Sequence, residues 1–397
     1  MILASERIVS ADGVRPGELV IENGRIAAVR APTDAPGVLD LGRRPVLPGY
    51  IDLHVHGGGG AQCNTDDPEE VLAMARFHAT RGTTALLATT VAARVEELEA
   101  ALAAIAVCTS RSGGASVLGA HLEGPFISRR RPGAMDPAVF IEPDQRSLQR
   151  LLDAGGGTVR MMTVAPELPG ALDMIRALVA AGMTLALGHS DATYDETRAA
   201  VRAGARCATH TFNAMPPLHH REPGLLGAAL DLDALTCELI CDGIHVHPAA
   251  LRLAFRAKGL SRTTLVTDAM QAAGMPDGDY RLGSATVTVS CGRAEIAGGG
   301  SIAGSTLTMD AAVGNAVRFL GISLEEAAVL ASRNPARLLG IDHRKGAIAP
   351  GFDADLTILD HDLRACGTLV AGEWAHGPPS APAAPPGERS GLAERGR

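Results

Sequence analysis

Six side chains in this sequence carry the residue types of a hydrolytic metal centre: His54, His56, Glu123, His189, His210 and Asp268. His54 and His56 stand two apart, so on an extended chain both imidazoles face the same side and can share one ion. Glu123 precedes Gly124-Pro125, which ends a strand and leaves the carboxylate at its tip. Taken singly, each has a plainer explanation as a solvated acid or a hydrogen-bonded core histidine. Taken together, five nitrogen and oxygen donors make a divalent-metal site of one or two ions, zinc first, with iron, cobalt or manganese also compatible. Asp268 is then the general base, able to take a proton from water and return it to a leaving amine, the two proton steps of an amide hydrolysis.

The lysines narrow the chemistry. Only Lys258 and Lys345 occur, and neither falls at a strand end. A Schiff-base mechanism is disfavoured, and so is a lysine carbamate bridging two metals, which leaves Glu123 as the evident carboxylate bridge. The glycine runs 57–60 and 298–300 do not fit a P-loop or a dinucleotide fingerprint.

These residues need a scaffold that brings distant strand ends together. From residue 46 onward, short apolar or β-branched runs alternate with helical patterns. Eight strands are expected, at Val46 to His56, Thr83 to Thr89, Ser116 to Glu123, Val159 to Pro166, Thr184 to Ser190, Cys207 to His210, Thr236 to Asp242 and Thr264 to Asp268. Eight in series predict a (β/α)8 TIM-type barrel, in which function collects at the C-terminal strand ends, where the polar residues above all lie. Late helices are expected at Met309 to Leu320 and Ser323 to Leu339, the second opening on the capping box Ser323-Leu324-Glu325-Glu326. Glu18 to Val29 alternates around Asn23-Gly24, a hairpin signal, and Asp355 to Leu359 and Thr368 to Trp374 also read as strands. The expected organisation is a small β-sandwich built from residues 1–45 and 355–376, a catalytic barrel at 46–354, and a disordered Pro-rich tail at 377–397.

Composition excludes several other classes. The chain has 397 residues, 46% of them apolar, and a net charge of −8. The acidic balance argues against a nucleic-acid binder, and no stretch reaches the ~20 apolar residues of a membrane span. Seven scattered cysteines without a Cys-x-x-Cys pair read as reduced thiols, and the protein is expected in the cytoplasm.

Several segments are more specific than the metal pattern. They are Pro48-Gly49-Tyr50-Ile51-Asp52-Leu53-His54-Val55-His56-Gly57, His121-Leu122-Glu123-Gly124-Pro125, Gly188-His189-Ser190 and His210-Thr211-Phe212-Asn213-Ala214-Met215-Pro216. They continue in Arg221-Glu222-Pro223-Gly224, Asp242-Gly243-Ile244-His245-Val246, Val266-Thr267-Asp268-Ala269 and Ala303-Gly304-Ser305. Over about residues 18 to 372 the chain resembles the amidohydrolase superfamily and, within it, the N-acetylglucosamine-6-phosphate deacetylases. The resemblance implies hydrolysis of the acetamido group of N-acetylglucosamine 6-phosphate to glucosamine 6-phosphate and acetate. It implies that Glu123, His189 and His210 hold the principal metal, with His54 and His56 forming a second site that shares Glu123. It implies sugar-phosphate contacts from Asn213, the Ala214 backbone and His245, and from Arg221 reaching in from the neighbouring subunit of a homodimer. Asp242 and the loop Ile302-Ala303-Gly304 are expected to border the substrate.

One segment departs from the pattern. Where the resembled family commonly reads Gly-Ala-His-Asp, this chain reads Gly133-Ala134-Met135-Asp136. The usual histidine is expected to donate a hydrogen bond near the substrate amide, and a thioether cannot. Ala134 and Met135 are therefore substrate-contact candidates, with Met135 expected to lower turnover or shift the acyl-sugar preference. Arg129, Arg130 and Arg131 read as a solvated loop. Alternatives are deacetylation of N-acetylgalactosamine 6-phosphate, a hydantoinase- or dihydroorotase-like reaction, disfavoured by the missing bridging lysine, and a catalytically silent scaffold, disfavoured by the complete ligand set.

Overall fold

The computed structural model describes residues 1–378 apart from 11, 12, 34, 35 and 112; the expected tail lies beyond it from residue 379 on. Eight parallel strands form one sheet in sequence order: β1 (Tyr50–Val55), β2 (Thr83–Thr90), β3 (Ser116–Glu123), β4 (Val159–Val164), β5 (Thr184–Leu187), β6 (Cys207–Ala208), β7 (Thr236–Ile240) and β8 (Thr263–Val266). Every residue of β1, β2 and β8 is buried, as expected of strands covered by side chains inside and helices outside. The expected (β/α)8 barrel is present, and its closure is particular.

At the β1/β8 seam the regular ladder gives way to a single bridge, Val55 with Ala269, just past the end of β8. Asp268 N–H donates to His54 O at 2.8 Å and His56 N–H to Ala269 O at 2.8 Å. The buried Asp52 carboxylate completes the seam, accepting from His54 N at 3.2 Å and from Thr267 N at 3.3 Å and Oγ1 at 2.5 Å. Burial pushes the Asp52 carboxyl up to about 6, against those hydrogen bonds.

The expected strand Val46 to His56 is two strands. Val46–Pro48 pairs with Leu356–Leu359 in a different sheet, and only after Gly49 does the chain enter the barrel. A Cβ at Gly49 would lie 2.2 Å from Thr84 Oγ1, so the chain crosses between the sheets at a point too tight for a side chain. The outer sheet has eight strands drawn from both ends of the chain. It curls so that its second hairpin turn meets its last: Asn23 and Gly24 both take positive φ (49° and 75°), and a Cβ at Gly24 would sit 2.9 Å from Ala371 O. Leu3, Ile26, Leu356 and Leu369 therefore share one core.

Where the barrel meets this sheet, the Lys345 ammonium is buried between Asp355 Oδ2 at 2.5 Å and Asp353 Oδ2 at 3.1 Å. The capping box at Ser323 forms as expected, with Glu326 N–H donating to Ser323 Oγ at 3.2 Å and Ser323 N–H to Glu326 Oε2 at 2.8 Å. The helix it starts does not run unbroken: Val329–Arg333 widens into a π turn. Carbonyls freed by such a turn need partners, and Thr264 Oγ1 donates to Leu330 O at 3.1 Å.

One element has no counterpart in the sequence reading. Residues Gly278–Leu282, Ala285–Ser290 and Arg293–Ile296 form a three-stranded antiparallel sheet that packs on Val91, Met270 and Ala303 at the rim of the barrel.

Candidate active site

The barrel delivers all six chemistry-bearing side chains to one point. The ligand atoms of His54, His56 and Asp268 lie within 4.8 Å of one another, as do those of Glu123, His189 and His210. Glu123 joins the two groups. Its Oε1 is 2.8 Å from His210 Nε2, 3.1 Å from His189 Nε2 and 3.4 Å from His54 Nε2, and its Oε2 is 3.2 Å from His56 Nε2.

Outer partners fix which nitrogen of each ring points inward. His56 Nδ1 faces Thr89 O at 2.9 Å, His189 Nδ1 faces Arg131 O at 3.0 Å, and His54 Nδ1 faces Glu238 Oε2 at 3.3 Å. Each of these acceptors occupies Nδ1, so Nε2 is the nitrogen left to offer a lone pair to an ion bound at the centre. The Nε2 atoms of His54 and His56 approach to 3.1 Å, and those of His189 and His210 to 3.0 Å. Lone pairs converging at that distance, beside the carboxylate of Glu123, are a donor set that suits a divalent cation.

Asp268 Oδ1 lies 3.1 Å from His56 Nε2 and 3.7 Å from His54 Nε2. Burial would raise its carboxyl, but the imidazoles around it hold it down to about 2, so it is a carboxylate at neutral pH. Backbone strain concentrates here: His189, His210, Phe212, Ala214 and Asp268 all have positive φ without being glycine. His121, beside Glu123 in sequence, is not part of the centre. It bridges Leu53 O and Thr163 Oγ1, and burial pushes it down to about 3, so it is a neutral strut.

Above the centre is a cavity of about 260 Å³. Its walls include His56, Glu123, His189, His210 and Asp268, and also Ala134, Met135, Asn213, Ala214, His245, Ile302 and Gly304, all expected from sequence. His245 is held by Asp242, whose Oδ2 lies 2.6 Å from Nδ1. Burial would lower the His245 pKa, but the Asp242 carboxylate raises it. Asp242 and Ala303 stand behind the walls rather than in them, and Arg221 is exposed away from this cavity, its Nη1 donating to His220 Nε2 at 2.7 Å. The Met135 sulfur accepts from Ala92 N–H at 3.3 Å and packs among apolar side chains.

Arg130 and Arg131 are not a free solvated run. Both pair with Asp191, at 2.9 and 2.7 Å, and the Arg131 carbonyl is the group that orients His189. Sequence reasoning missed Val91, Gly133, Leu282 and Ser301 in the walls. It also missed Glu238, although a lone carboxylate inside the apolar run Thr236-Cys237-Glu238-Leu239-Ile240 is a signal, since on a barrel strand it can only be tolerated facing inward.

Residues 46–381 match the amidohydrolase family, and this chain belongs to that family. Within it, the similarity is to deacetylases of N-acetylated amino-sugar phosphates. The chain is 41% identical to an N-acetylgalactosamine-6-phosphate deacetylase of Escherichia coli O157:H7, over 94% of this chain and 99% of that protein. It is also 41% identical to an N-acetylglucosamine-6-phosphate deacetylase of Vibrio furnissii, over 89% of each. Among solved structures, a variant of the Mycobacterium smegmatis N-acetyl-D-glucosamine-6-phosphate deacetylase in complex with N-acetyl-D-glucosamine-6-phosphate superposes with a TM-score of 0.91 at 42% identity, covering 95% of this chain and 99% of that one.

Proposed function

We propose that this chain is a metal-dependent deacetylase that hydrolyses N-acetyl-D-glucosamine 6-phosphate to D-glucosamine 6-phosphate and acetate. The observation that carries the reading is the Asp268 carboxylate, strained into place on the cavity wall beside the converging Nε2 atoms of the histidines. Glu123, His189 and His210 would hold one divalent ion, and His54 and His56 a second that shares Glu123, zinc being the ion this donor set suits first. An ion there supplies Lewis acidity, polarising the amide carbonyl and acidifying a water molecule. Asp268 takes the proton from the attacking water and, as the carbon–nitrogen bond breaks, returns it to the amino group of the product. Asn213, the Ala214 backbone and His245 orient the sugar, and Arg221 of a second copy of this chain supplies the bidentate fork that suits a phosphate. With seven free cysteines, five of them buried, the protein fits the reducing cytoplasm.

The galacto epimer is a second reading, favoured by the likeness to the Escherichia coli enzyme. Acetate release is to be measured on both 6-phosphates, before and after chelation and with metal restored. Metal-dependent release faster from the gluco sugar is expected. Faster release from the galacto sugar would exchange the two readings, and a metal-loaded protein releasing acetate from neither would overturn both.

A further inference from the structure

Glu238 lies at the middle of β7 with its carboxylate fully buried inside the barrel. An anion in such a place is costly unless several donors surround it. Three do. Oε2 is 3.3 Å from His54 Nδ1 and accepts from the His210 backbone N–H at 3.0 Å, and the Cys207 thiol lies 3.6 Å from Oε1. Two of these donors belong to ligand residues, one from each half of the centre: His54 sits in the group with His56 and Asp268, and His210 in the group with Glu123 and His189. The two contacts act differently. At His54 the carboxylate faces Nδ1, which leaves Nε2 as the nitrogen aimed at the centre and fixes the tilt of the ring. At His210 it ties down a backbone twisted to a φ of 28°, unusual for a residue with a Cβ. The His210 Nδ1 atom is buried without a hydrogen-bond partner among the described residues, so no side chain fixes that ring from behind. Its aim depends on the backbone, and the backbone is pinned by Glu238.

We infer that Glu238 is a positioning residue shared by both halves of the metal centre, aligning His54 through its ring and His210 through its main chain. This rests on the metal-dependent reading given above. The substitution that tests it is Glu238→Gln, which keeps shape and removes charge. Protein stripped with a chelator is titrated with Zn²⁺ against a chromophoric competitor, with bound metal counted by mass spectrometry. Removing an outer partner of this kind weakens metal binding by about 10–100-fold, and that loss is expected here, greatest for the ion on the His54 side. A purely structural role would lower the melting temperature of the stripped protein and leave the affinities of the folded protein unchanged. Glu238→Asp, which keeps the charge and withdraws it by one methylene, serves if Glu238→Gln does not fold, with the same loss expected. A folded variant that binds every equivalent as tightly as the parent overturns the inference. A parent protein that binds no divalent ion overturns it together with the proposed function, whereas metal binding that responds to Glu238 without acetate release overturns only the proposed reaction.

Discussion

At the scale of single residues, the proposed division between ligands and base makes a sharp demand. Asp268→Asn keeps an oxygen near His56 and removes the proton acceptor, so kcat is expected to fall by about 10²–10⁴-fold. The ions on Glu123, His189 and His210 should stay bound, and turnover measured alongside metal content checks both; retained turnover would refute the assignment of Asp268. Met135 makes the opposite kind of prediction. Its sulfur accepts from Ala92 N–H and cannot donate to a substrate amide, so Met135→His is expected to raise kcat/KM on N-acetyl amino-sugar phosphates. No gain on either epimer would show that this position does not limit the rate. The six chemistry-bearing residues could be read from sequence because each ends a strand whose pattern was clear. The roles of Glu238 and of the Arg131 carbonyl could not, although the lone carboxylate in its apolar run marks Glu238 as unusual, because those roles depend on which atoms face them across the barrel.

Among the elements, the barrel strands were legible because apolar runs at βα spacing leave few alternatives, and the Ser323 box because its two hydrogen bonds are local. The split at Gly49 was not. Val46–Pro48 and Tyr50–Val55 form one apolar run, and pairing with residues distant in sequence, Ile8 on one side and Leu356–Leu359 on the other, assigns the first part to another sheet. The rim sheet of 278–296 was missed although Ala285-Thr286-Val287-Thr288-Val289-Ser290 alternates cleanly, because an antiparallel insertion after the eighth strand breaks the βα rhythm that guided the reading. Its sequel, the loop at 301–304, packs against the backbone of Asp268, the proposed general base. Gly304 has a φ of 60°, and a Cβ there would meet Met270 Cβ at 3.0 Å and Asp268 O at 3.2 Å. Gly304→Val should therefore displace Asp268, lowering kcat by tenfold or more with little change in bound metal. Wild-type kcat in that variant would show that the loop does not brace the base.

For the molecule as a whole, the joint between barrel and outer sheet contains a buried cation, Lys345. Lys345→Met leaves the buried Asp353 and Asp355 without their shared cation, a change worth about 3–5 kcal/mol at neutral pH, to be read by urea unfolding. The pH dependence follows in sign. Burial would raise the Asp353 carboxyl, but the Arg344 hydrogen bonds and the Lys345 charge hold it below the usual range. Its contribution is complete above the ordinary carboxylate pKa of about 4 and fades as pH falls through the lowered native value, so acid should weaken the parent more steeply than the variant. A cost under 1 kcal/mol, or equal acid slopes, would remove this pair from the joint. The outer sheet also sets an order of events during synthesis. Val46 lies beside Ile8 on one edge, but the other edge of Val46–Pro48 finds its partner in Leu356–Leu359, so that edge waits while roughly 300 further residues are made, about 15–60 s at ordinary elongation rates. Throughout that interval the apolar face of Leu3, Leu19, Ile21 and Val46 lacks the part of its core that Leu356, Ile358 and Leu369 supply. The nascent chain, rather than the finished enzyme, is then the form most in need of a chaperone.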